Sequence, residues 1–331
     1  MDHASILPAL ARHSTADPAR RRTRDERADR LFRGVLAAAA CIVLAALAGT
    51  AVAMLHGGSE AFGTFGWGFL VSAQWDPSNL RFGALVPVWG TLVTATIALL
   101  IAVPVSFGIA VFLTELAPPW LRGPVGAAIE LLAAIPSIIY GMWGLFVFVP
   151  VMGRHVTPWL DQHLGGLPLL GPLFSGPPLG IGMLTAGIVL AIMVIPFVSS
   201  VMREVFLSVS PALREAAHAL GSTTWEVAWH IVLPRARTAV VGGIFLGLGR
   251  ALGETMAVTF VLGNAHRFTT SLLEPGNSIA ATIANEFTEA ETDLHRSSLL
   301  ALGFLLFVVT FIVLAAARLM LRRLQRAEGH A

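Results

Sequence analysis

"LVPVWGTLVTATIALLIAVPVSFGIAVFL" occupies residues 85–113 and contains no charged side chain. A helix needs roughly 20 apolar residues to cross ~30 Å of hydrocarbon, so this run is long enough to span a membrane. The whole chain has 331 residues, of which 55% are hydrophobic and 13% are charged. A soluble domain carries about a quarter charged residues. The run and the composition together predict an integral membrane protein.

Five further segments have the same apolar character. The predicted spans are Gly34–Leu55, Leu85–Leu113, Gly126–Pro150, Gly180–Leu207, Thr238–Gly263 and Ser297–Arg318. The sequence therefore predicts an all-α integral membrane protein with six transmembrane helices. It divides into an arginine-rich tail over residues 1–33, a membrane domain over 34–318 and a short tail over 319–331. We expect the first tail to be disordered or to lie on the membrane surface.

The distribution of arginine predicts which side of the membrane each loop occupies. The chain has no lysine, so its 22 basic residues are all arginines. With the N-terminus inside, 17 arginines fall on cytoplasmic segments, four on outer loops and one within a span. Cytoplasmic loops carry an excess of basic residues, which predicts that both termini are cytoplasmic.

Several kinds of chemistry are excluded or disfavoured. A P-loop needs a lysine to reach the phosphates, so any ATP that powers this protein is expected to be hydrolysed by another subunit. The single cysteine, Cys41, lies in an apolar run and excludes an internal disulfide. His155 and His163 have no standard metal spacing with Asp161, and no nucleophile elbow or zinc pattern occurs. We predict a non-enzymatic protein that itself binds neither metal nor cofactor.

The loop between the fourth and fifth spans, about residues 208–237, contains the helix start and stop signals of a helical hairpin. Ser210 is placed to cap a helix that has Pro211 at its first position. Gly221 suits the left-handed conformation that ends a helix. Thr223 and Glu226 have the spacing of a capping box at the start of a second helix. We expect Pro234 to end that helix before the fifth span begins.

The first helix of this hairpin combines small side chains with charges. They are Ala216, Ala217 and Ala219 beside Arg214 and Glu215. Small side chains let another backbone approach closely, and the flanking charges can pair across an interface. This pattern predicts a docking element, with an ordinary amphipathic connector as the alternative.

The stretch "EAAHALGSTTWEVAWHIVLP", residues 215–234, resembles the EAA loop of bacterial ABC importer permeases. The matching positions are Glu215, Ala216, Ala217, Gly221, Ile231, Leu233 and Pro234. The resemblance implies the fold of a type I ABC importer permease in the bacterial cytoplasmic (inner) membrane. It also implies that the first helix, including Arg214, is a coupling helix that fits a groove on a separate ATPase, where ATP and Mg²⁺ are used.

Three more stretches, residues 130–150, 246–264 and 275–290, resemble the PstC family of phosphate importer permeases. The resemblance covers nearly all of residues 30–325. It implies a permease that forms half of a phosphate pathway, together with a PstA-like permease, two copies of a PstB-like ATPase and a PstS-like periplasmic binding protein. Import of sulfate, molybdate or phosphonate, an ATP-independent transporter or channel, and a signalling scaffold remain alternatives.

The segment "GLGRALGETMAV", residues 247–258, places two charges in an apolar span. Arg250 is 12 residues into the predicted fifth span, or about 18 Å along a helix. Glu254 is expected one turn further on the same face. An arginine at the centre of a span costs roughly 2.5–3.5 kcal/mol on insertion scales, so it needs a partner or water.

Two interpretations of these charges stay open. Arg250 and Glu254 can form a structural ion pair that fixes helix packing. Alternatively, Arg250 contacts phosphate in transit, since a guanidinium fork matches phosphate oxygens. Glu254 would then hold Arg250 between turnovers and accept a proton from a phosphate hydroxyl. The resemblance favours the second interpretation, because it implies a transport role for the matching arginine and glutamate.

Other polar residues in the spans are weaker candidates for the substrate pathway. Pro136 is expected to kink the third span, after which the hydroxyls of Ser137 and Tyr140 either line a polar path or repair the broken helix. Thr255 has the same two alternatives. Glu130 is either a pathway residue or a solvated residue near the cytoplasmic end of its span.

Two glycine pairs in the fifth span predict close helix packing. They are Gly243 with Gly247 and Gly249 with Gly253, each at the four-residue spacing that lets helices approach.

Overall fold

A computed structural model describes residues 18–168 and 170–328. Within these ranges the regular structure is helical, and strand-like pairing is confined to one isolated bridge between Asp76 and Arg81. The helices are α1 Pro18–Gly57, α2 Ser59–Phe65, α3 Gly68–Val71, α4 Leu85–Val111, α5 Pro119–Ala133, α6 Ser137–Trp143, α7 Val149–Val151, α8 Thr157–Leu164, α9 Gly171–Phe174, α10 Met183–Leu207, α11 Pro211–Ala219, α12 Thr224–Val227, α13 Leu233–Leu252, α14 Met256–Leu262, α15 Ile279–Glu286 and α16 Asp293–Glu328. Four π-helical turns extend or join them, at Phe112–Leu116, Gly144–Phe148, Met152–Val156 and Ala228–Val232.

The chain divides into two compact units. The first ends at Ala53 and contains most of α1. The part of the N-terminal tail from Pro18 onward is helical, which corrects the expectation of disorder, since the Arg-rich and Ala-rich residues there are good helix formers. Residues 1–17 of that tail lie outside the described ranges. The second unit, from Met54 onward, holds the other helices.

Six helices in the described ranges are long and apolar enough to cross a membrane, which confirms the predicted number. They are Asp29–Gly57, Leu85–Leu116, Ser137–Leu164, Met183–Leu207, Thr224–Leu252 and Asp293–Arg322. Four of them agree with the predicted spans to within several residues at each end. The third and fifth spans do not, and both differences bear on the functional site.

The predicted boundaries of the third span, Gly126–Pro150, are wrong, because the span lies later in the chain. α5 ends at Ala133, the chain is extended at Pro136, and a new helix starts at Ser137 and runs to Leu164. Proline has no N–H to continue the hydrogen-bond ladder, so the helix restarts after it. The apolar residues before the break therefore belong to a separate helix.

The predicted fifth span, Thr238–Gly263, is also displaced. The helix already begins at Thr224 and passes Pro234, which was expected to break it. A π-helical turn directly before Leu233 has interrupted the regular hydrogen-bond ladder, so the proline is accommodated there. The helix ends at Leu252, and α14 follows as a separate short helix.

Most of the predicted helix start and end signals are present in the hairpin over residues 208–237. Gly221 adopts a φ of +89°, the left-handed conformation expected at the end of α11. The capping box is confirmed, because the Thr223 N–H donates to Glu226 Oε2 at 2.8 Å and the Glu226 N–H donates to Thr223 Oγ1 at 3.3 Å. The predicted cap at Ser210 is wrong, since its side chain makes no capping hydrogen bond. Pro211 alone marks that helix start.

α10 lies at the centre of the second unit and packs against α4, α5, α13 and α14. Gly247 of α13 allows the closest approach, because an added Cβ would lie 2.5 Å from Val198 Cγ2. At Gly243 an added Cβ would lie 3.0 Å from Val201 Cγ1. The first glycine pair therefore packs α13 onto α10, as predicted. The second pair has no neighbour closer than 3.6 Å, and Gly253 is exposed.

Replacing Gly247 by alanine should destabilise the packing of α13 on α10. Gly242 provides a matched control, because nothing lies within 4 Å of its added Cβ. Overpacking a core costs about 1–3 kcal/mol, so we expect Gly247→Ala to unfold more readily than Gly242→Ala by about that amount. Unfolding of the detergent-solubilised chain measures the difference. Equal stability of the two variants would contradict the close approach.

A buried polar cluster joins four segments at the end of the molecule predicted to be outside. Glu286 Oε1 lies 2.7 Å from His266 Nε2, and its Oε2 lies 3.0 Å from His295 Nε2. The Trp75 indole N–H donates to the same Oε2 at 2.8 Å. Burial raises the pKa of Glu286, but the hydrogen bonds from His266, Trp75 and His295 outweigh it and hold that pKa below its ordinary value.

This cluster should make the fold sensitive to acid. Because the folded-state pKa of Glu286 is lowered, the carboxylate stabilises the fold above its unfolded-state pKa. That contribution is lost as the pH falls below the ordinary value of about 4.3. We expect the unfolding temperature of the wild type to fall more steeply there than that of Glu286→Gln. Exposed Glu289→Gln is the control, and parallel curves for wild type and Glu286→Gln would contradict the expectation.

Candidate functional site

The fifth span ends beside its arginine, and a short break separates it from α14. Arg250 lies in the last turn of α13, which ends at Leu252, and residues 253–255 are not helical. Irregular backbone at membrane depth is tolerated only where protein surrounds it or where it lines a water-filled cavity. Interrupted helices of this kind commonly form the binding sites of transporters. The break therefore marks the first place to look for a functional site.

The break that precedes the third span lies close to the helix that follows the fifth. α6 starts after the break at Pro136 and packs against α14. Gly141 allows this contact, since an added Cβ would lie 2.8 Å from the Phe260 ring and 3.0 Å from the Met256 carbonyl oxygen. Tyr140 directly precedes Gly141 in the same helix. The helices that follow the two breaks, α6 and α14, thus pack against each other, and α14 begins six residues after Arg250.

Among the residues that the structure describes, Arg250 has an aromatic neighbour and no carboxylate within ion-pair distance. Its Cζ lies 5.5 Å from the centre of the Phe197 ring on α10, which is within the range of a cation–π interaction. Its Nε is buried and has no hydrogen-bond partner. A buried donor left unpaired costs about 1–3 kcal/mol, more for a charged group. The guanidinium group therefore retains hydrogen-bonding capacity for an incoming anion.

Glu254 does not lie on the same helix face as Arg250, and that prediction is wrong because α13 ends between them. Glu254 Oε1 instead accepts a hydrogen bond from the Ala257 N–H at 3.2 Å, at the start of α14. Within the described ranges, no ion pair within 4 Å joins Arg250 to Glu254. The structural ion pair is therefore absent in this conformation.

Some of the candidate hydroxyl groups hydrogen-bond to backbone carbonyls at the helix breaks. The Tyr140 hydroxyl donates to the Leu132 carbonyl at 3.0 Å and so bridges the break in the third span. The Thr255 hydroxyl reaches the Gly253 carbonyl at 3.5 Å across the other break. Ser137 is half-buried at the first position of α6. Tyr140 thus connects α6 to the helix before the break and lies next to the contact between α6 and α14.

Glu130 lies apart from this group. Its carboxylate, 60% exposed on α5, is 3.2 Å from Arg203 Nη1, which is also 3.3 Å from Glu204. Arg203 follows Phe197 by six residues, or about 9 Å along α10 toward the predicted cytoplasmic end. Sequence reasoning missed this ion pair, although an arginine near the end of an apolar span was a visible signal.

The hairpin over residues 208–237 turns part of its predicted docking surface inward. Glu215, Ala216 and Gly221 are exposed, but Ala217 is buried. Arg214 Nη2 donates to the Phe206 carbonyl and lies 3.4 Å from Glu115 Oε1, at the end of the second span. The geometry therefore does not favour Arg214 as a surface contact.

The remaining hairpin residues lie along the second helix and at the turn between the two helices, which forms the tip of the hairpin. Ile231 is half-buried against the core, Leu233 is half-buried, and Pro234 is exposed. Leu220, at the tip, is 88% exposed and was not among the predicted docking residues. An apolar residue next to the Gly221 turn was the sequence signal for it. Of the predicted docking residues, Glu215, Ala216, Gly221 and Pro234 are therefore exposed.

Comparison with known proteins agrees with this architecture. Residues 102–326 match the family described as "Binding-protein-dependent transport system inner membrane component". The "Phosphate transport system permease protein PstC" of Xylella fastidiosa is 64% identical over 325 residues, which are 98% of this chain and 100% of that protein. The protein of the same name from Pasteurella multocida is 56% identical over 90% of this chain and 93% of its own length.

Solved structures show the same fold at low identity. A chain of a bacterial ABC transporter involved in the import of the acidic polysaccharide alginate has a TM-score of 0.57 at 18% identity, covering 92% of this chain and 99% of that chain. A chain of the MetNI methionine ABC transporter in an inward-facing conformation has a TM-score of 0.53 at 17% identity, covering 72% and 94%.

These findings define the class of protein. Its fold is that of an ABC importer permease, a multi-pass protein of the inner membrane. The chain belongs to the binding-protein-dependent transport permeases and, within them, to the PstC family.

Proposed function

We propose that this chain is a permease subunit of an ATP-driven importer of inorganic phosphate and forms half of its translocation pathway. The observation that carries the proposal is the buried, unpaired Nε of Arg250 in the last turn of the fifth span, directly before the break at residues 253–255. The name of the PstC relatives supports phosphate as the substrate.

The chemistry of Arg250 suits an oxyanion in transit. A guanidinium keeps its charge at all physiological pH values and donates parallel hydrogen bonds to two oxygens of phosphate. The Phe197 ring supports its face without competing for those donors. Because a single arginine forms no closed cage, the anion is bound weakly enough to leave again.

Glu254 gives the site a means to distinguish phosphate from sulfate. Phosphate near neutral pH keeps a hydroxyl group, whereas sulfate has none. A carboxylate beside the passing anion accepts a hydrogen bond from that hydroxyl and repels a fully deprotonated anion. Glu254 performs this role after it releases the Ala257 N–H. Ser137 and Thr255 supply further hydroxyl groups at the two breaks.

The proposed complex contains this chain with a PstA-like permease, two PstB-like ATPase subunits and a PstS-like binding protein. The binding protein delivers phosphate from the periplasm. ATP with Mg²⁺ binds the ATPase subunits, whose closure is transmitted through the exposed surface of the coupling hairpin. Phosphate then passes Arg250 as access to the pathway changes from outside to inside.

Replacing Arg250 by glutamine should abolish most phosphate uptake without dissociating the complex. Losing hydrogen bonds to a charged group costs about 1.5–3 kcal/mol, so we expect uptake to fall roughly 10- to 150-fold. Arg250→Lys should be intermediate, because it keeps the charge and loses the fork. The measurement is labelled-phosphate uptake by the assembled complex, with ATPase co-purification checked in each variant.

Exposed Arg154→Gln is the matched control and should leave uptake unchanged. Unchanged uptake in Arg250→Gln would place the phosphate pathway elsewhere. Loss of the ATPase from Arg250→Gln would assign the arginine a structural role. If excess sulfate or molybdate suppresses uptake as well as phosphate does, the proposed substrate is wrong.

The coupling surface has its own test. Glu215→Arg reverses an exposed charge on α11, and Gly221→Trp adds bulk to a left-handed turn. We expect either change to prevent the ATPase from co-purifying or from being stimulated. Glu291→Arg makes the same charge change on an exposed residue at the predicted outer side and should have no effect. Normal coupling in both hairpin variants would count against the assignment.

A further inference from the structure

A buried ion pair connects the coupling hairpin to the second span. Glu115 lies in the π-helical turn that extends α4, and its side chain is only 6% exposed. Arg214 of α11 is 17% exposed and places Nη2 3.4 Å from Glu115 Oε1. The two residues are 99 positions apart in the chain. Nothing in the proposed pathway uses this pair.

The pair is incompletely formed in this conformation. Glu115 Oε1 and Arg214 Nε are both buried and have no hydrogen-bond partner. The two side chains are thus within ion-pair distance but lack the geometry of a hydrogen bond. A buried ion pair is favourable only when good geometry and further hydrogen bonds offset the loss of solvation. A small displacement that aligns the guanidinium fork with the carboxylate would therefore be stabilised.

We propose that the Glu115–Arg214 pair is the link through which the coupling hairpin drives the second span. When the ATPase subunits close, the hairpin shifts and the pair aligns into a bidentate, hydrogen-bonded contact that draws in the end of α4. Glu115 and Arg214 are positioning residues, since neither touches phosphate. The inference rests on the proposed function for the ATPase partner and for the identity of the transported anion.

The contacts around the pair support this direction of coupling. Arg214 also donates to the carbonyl of Phe206, at the end of α10. The Phe206 ring packs edge-on against Phe107 of α4 at 5.7 Å, and Phe107 contacts Trp229 of the hairpin at 5.5 Å. α4 packs against α10, which carries Phe197 beneath Arg250. A movement of the hairpin therefore reaches α4 and α10 together. Coupling requires an element that has two discrete arrangements, and in this proposal the ion pair is that element.

The test compares Glu115→Gln, Arg214→Gln and the exchange Glu115→Arg with Arg214→Glu in the assembled complex. We expect both single variants to retain the ATPase and to hydrolyse ATP, while phosphate imported per ATP falls at least tenfold. The exchange variant should recover most of that loss, which a purely local packing role would not produce. Exposed Arg235→Gln is the control and should behave as the wild type.

Three outcomes would overturn the proposal. If Arg214→Gln releases the ATPase while Glu115→Gln does not, Arg214 belongs to the docking surface. If both single variants import phosphate with normal ATP use, the pair is only a packing contact. If the single variants do not assemble and the exchange restores neither assembly nor coupling, the pairing itself is wrong.

A second readout does not depend on the transported anion. Leu116→Cys with Leu213→Cys, in a Cys41→Ser background, places thiols on the exposed neighbours of the pair, keeps Glu115 and Arg214 intact, and is treated with a thiol-to-thiol cross-linker. The cross-linking yield should rise at least threefold when a non-hydrolysable ATP analogue closes the ATPase, and an unchanged yield would contradict the inference. A wild-type complex that hydrolyses ATP but imports no phosphate would reject the proposed substrate while leaving this readout intact.

Discussion

The architecture of the membrane domain depends on how the protein accommodates an arginine beside a break in an apolar helix. Neither the charge of Arg250 nor the open backbone after Leu252 is tolerated in hydrocarbon unless other helices surround them. α10 supplies the Phe197 ring, and α6 closes against α14 at Gly141, where no side chain stands in the way. The break before the third span is part of this arrangement, because α6 starts there and packs against α14, the helix that follows Arg250.

α10 connects the features that the proposed transport mechanism uses. Near its middle Phe197 lies under Arg250, further along Arg203 pairs with Glu130, and at its end the Phe206 carbonyl accepts a hydrogen bond from Arg214. It also packs against the helices on either side of both breaks. α10 is a central, deeply buried helix that contacts Arg250, the proposed anion-binding residue, near its middle and the hairpin at its end. It is therefore suited to couple the two places.

Sequence alone predicted the number of spans, because apolar length is a strong signal, and it predicted the turn and capping box of the hairpin from local chemistry. The breaks were harder to predict. Pro136 marks one of them, yet Pro104, Pro196 and Pro234 lie inside helices, so proline by itself does not indicate where a span stops. The inward orientation of Arg214 depends on Glu115, a contact between distant parts of the chain that no local pattern reveals. The relation of Glu254 to Arg250 was predicted wrongly because it assumed a continuous helix.

The most direct test of the central claim is to locate the transported anion in the assembled importer. Arsenate has the shape and charge of phosphate, and its arsenic atom is identified by anomalous scattering. A crystal structure of the complex trapped during transport with arsenate should show an arsenic peak within about 4 Å of the Arg250 guanidinium, the range of a charge-assisted contact. An ordered arsenic peak elsewhere in the membrane domain, with Arg250 unoccupied, would contradict the account.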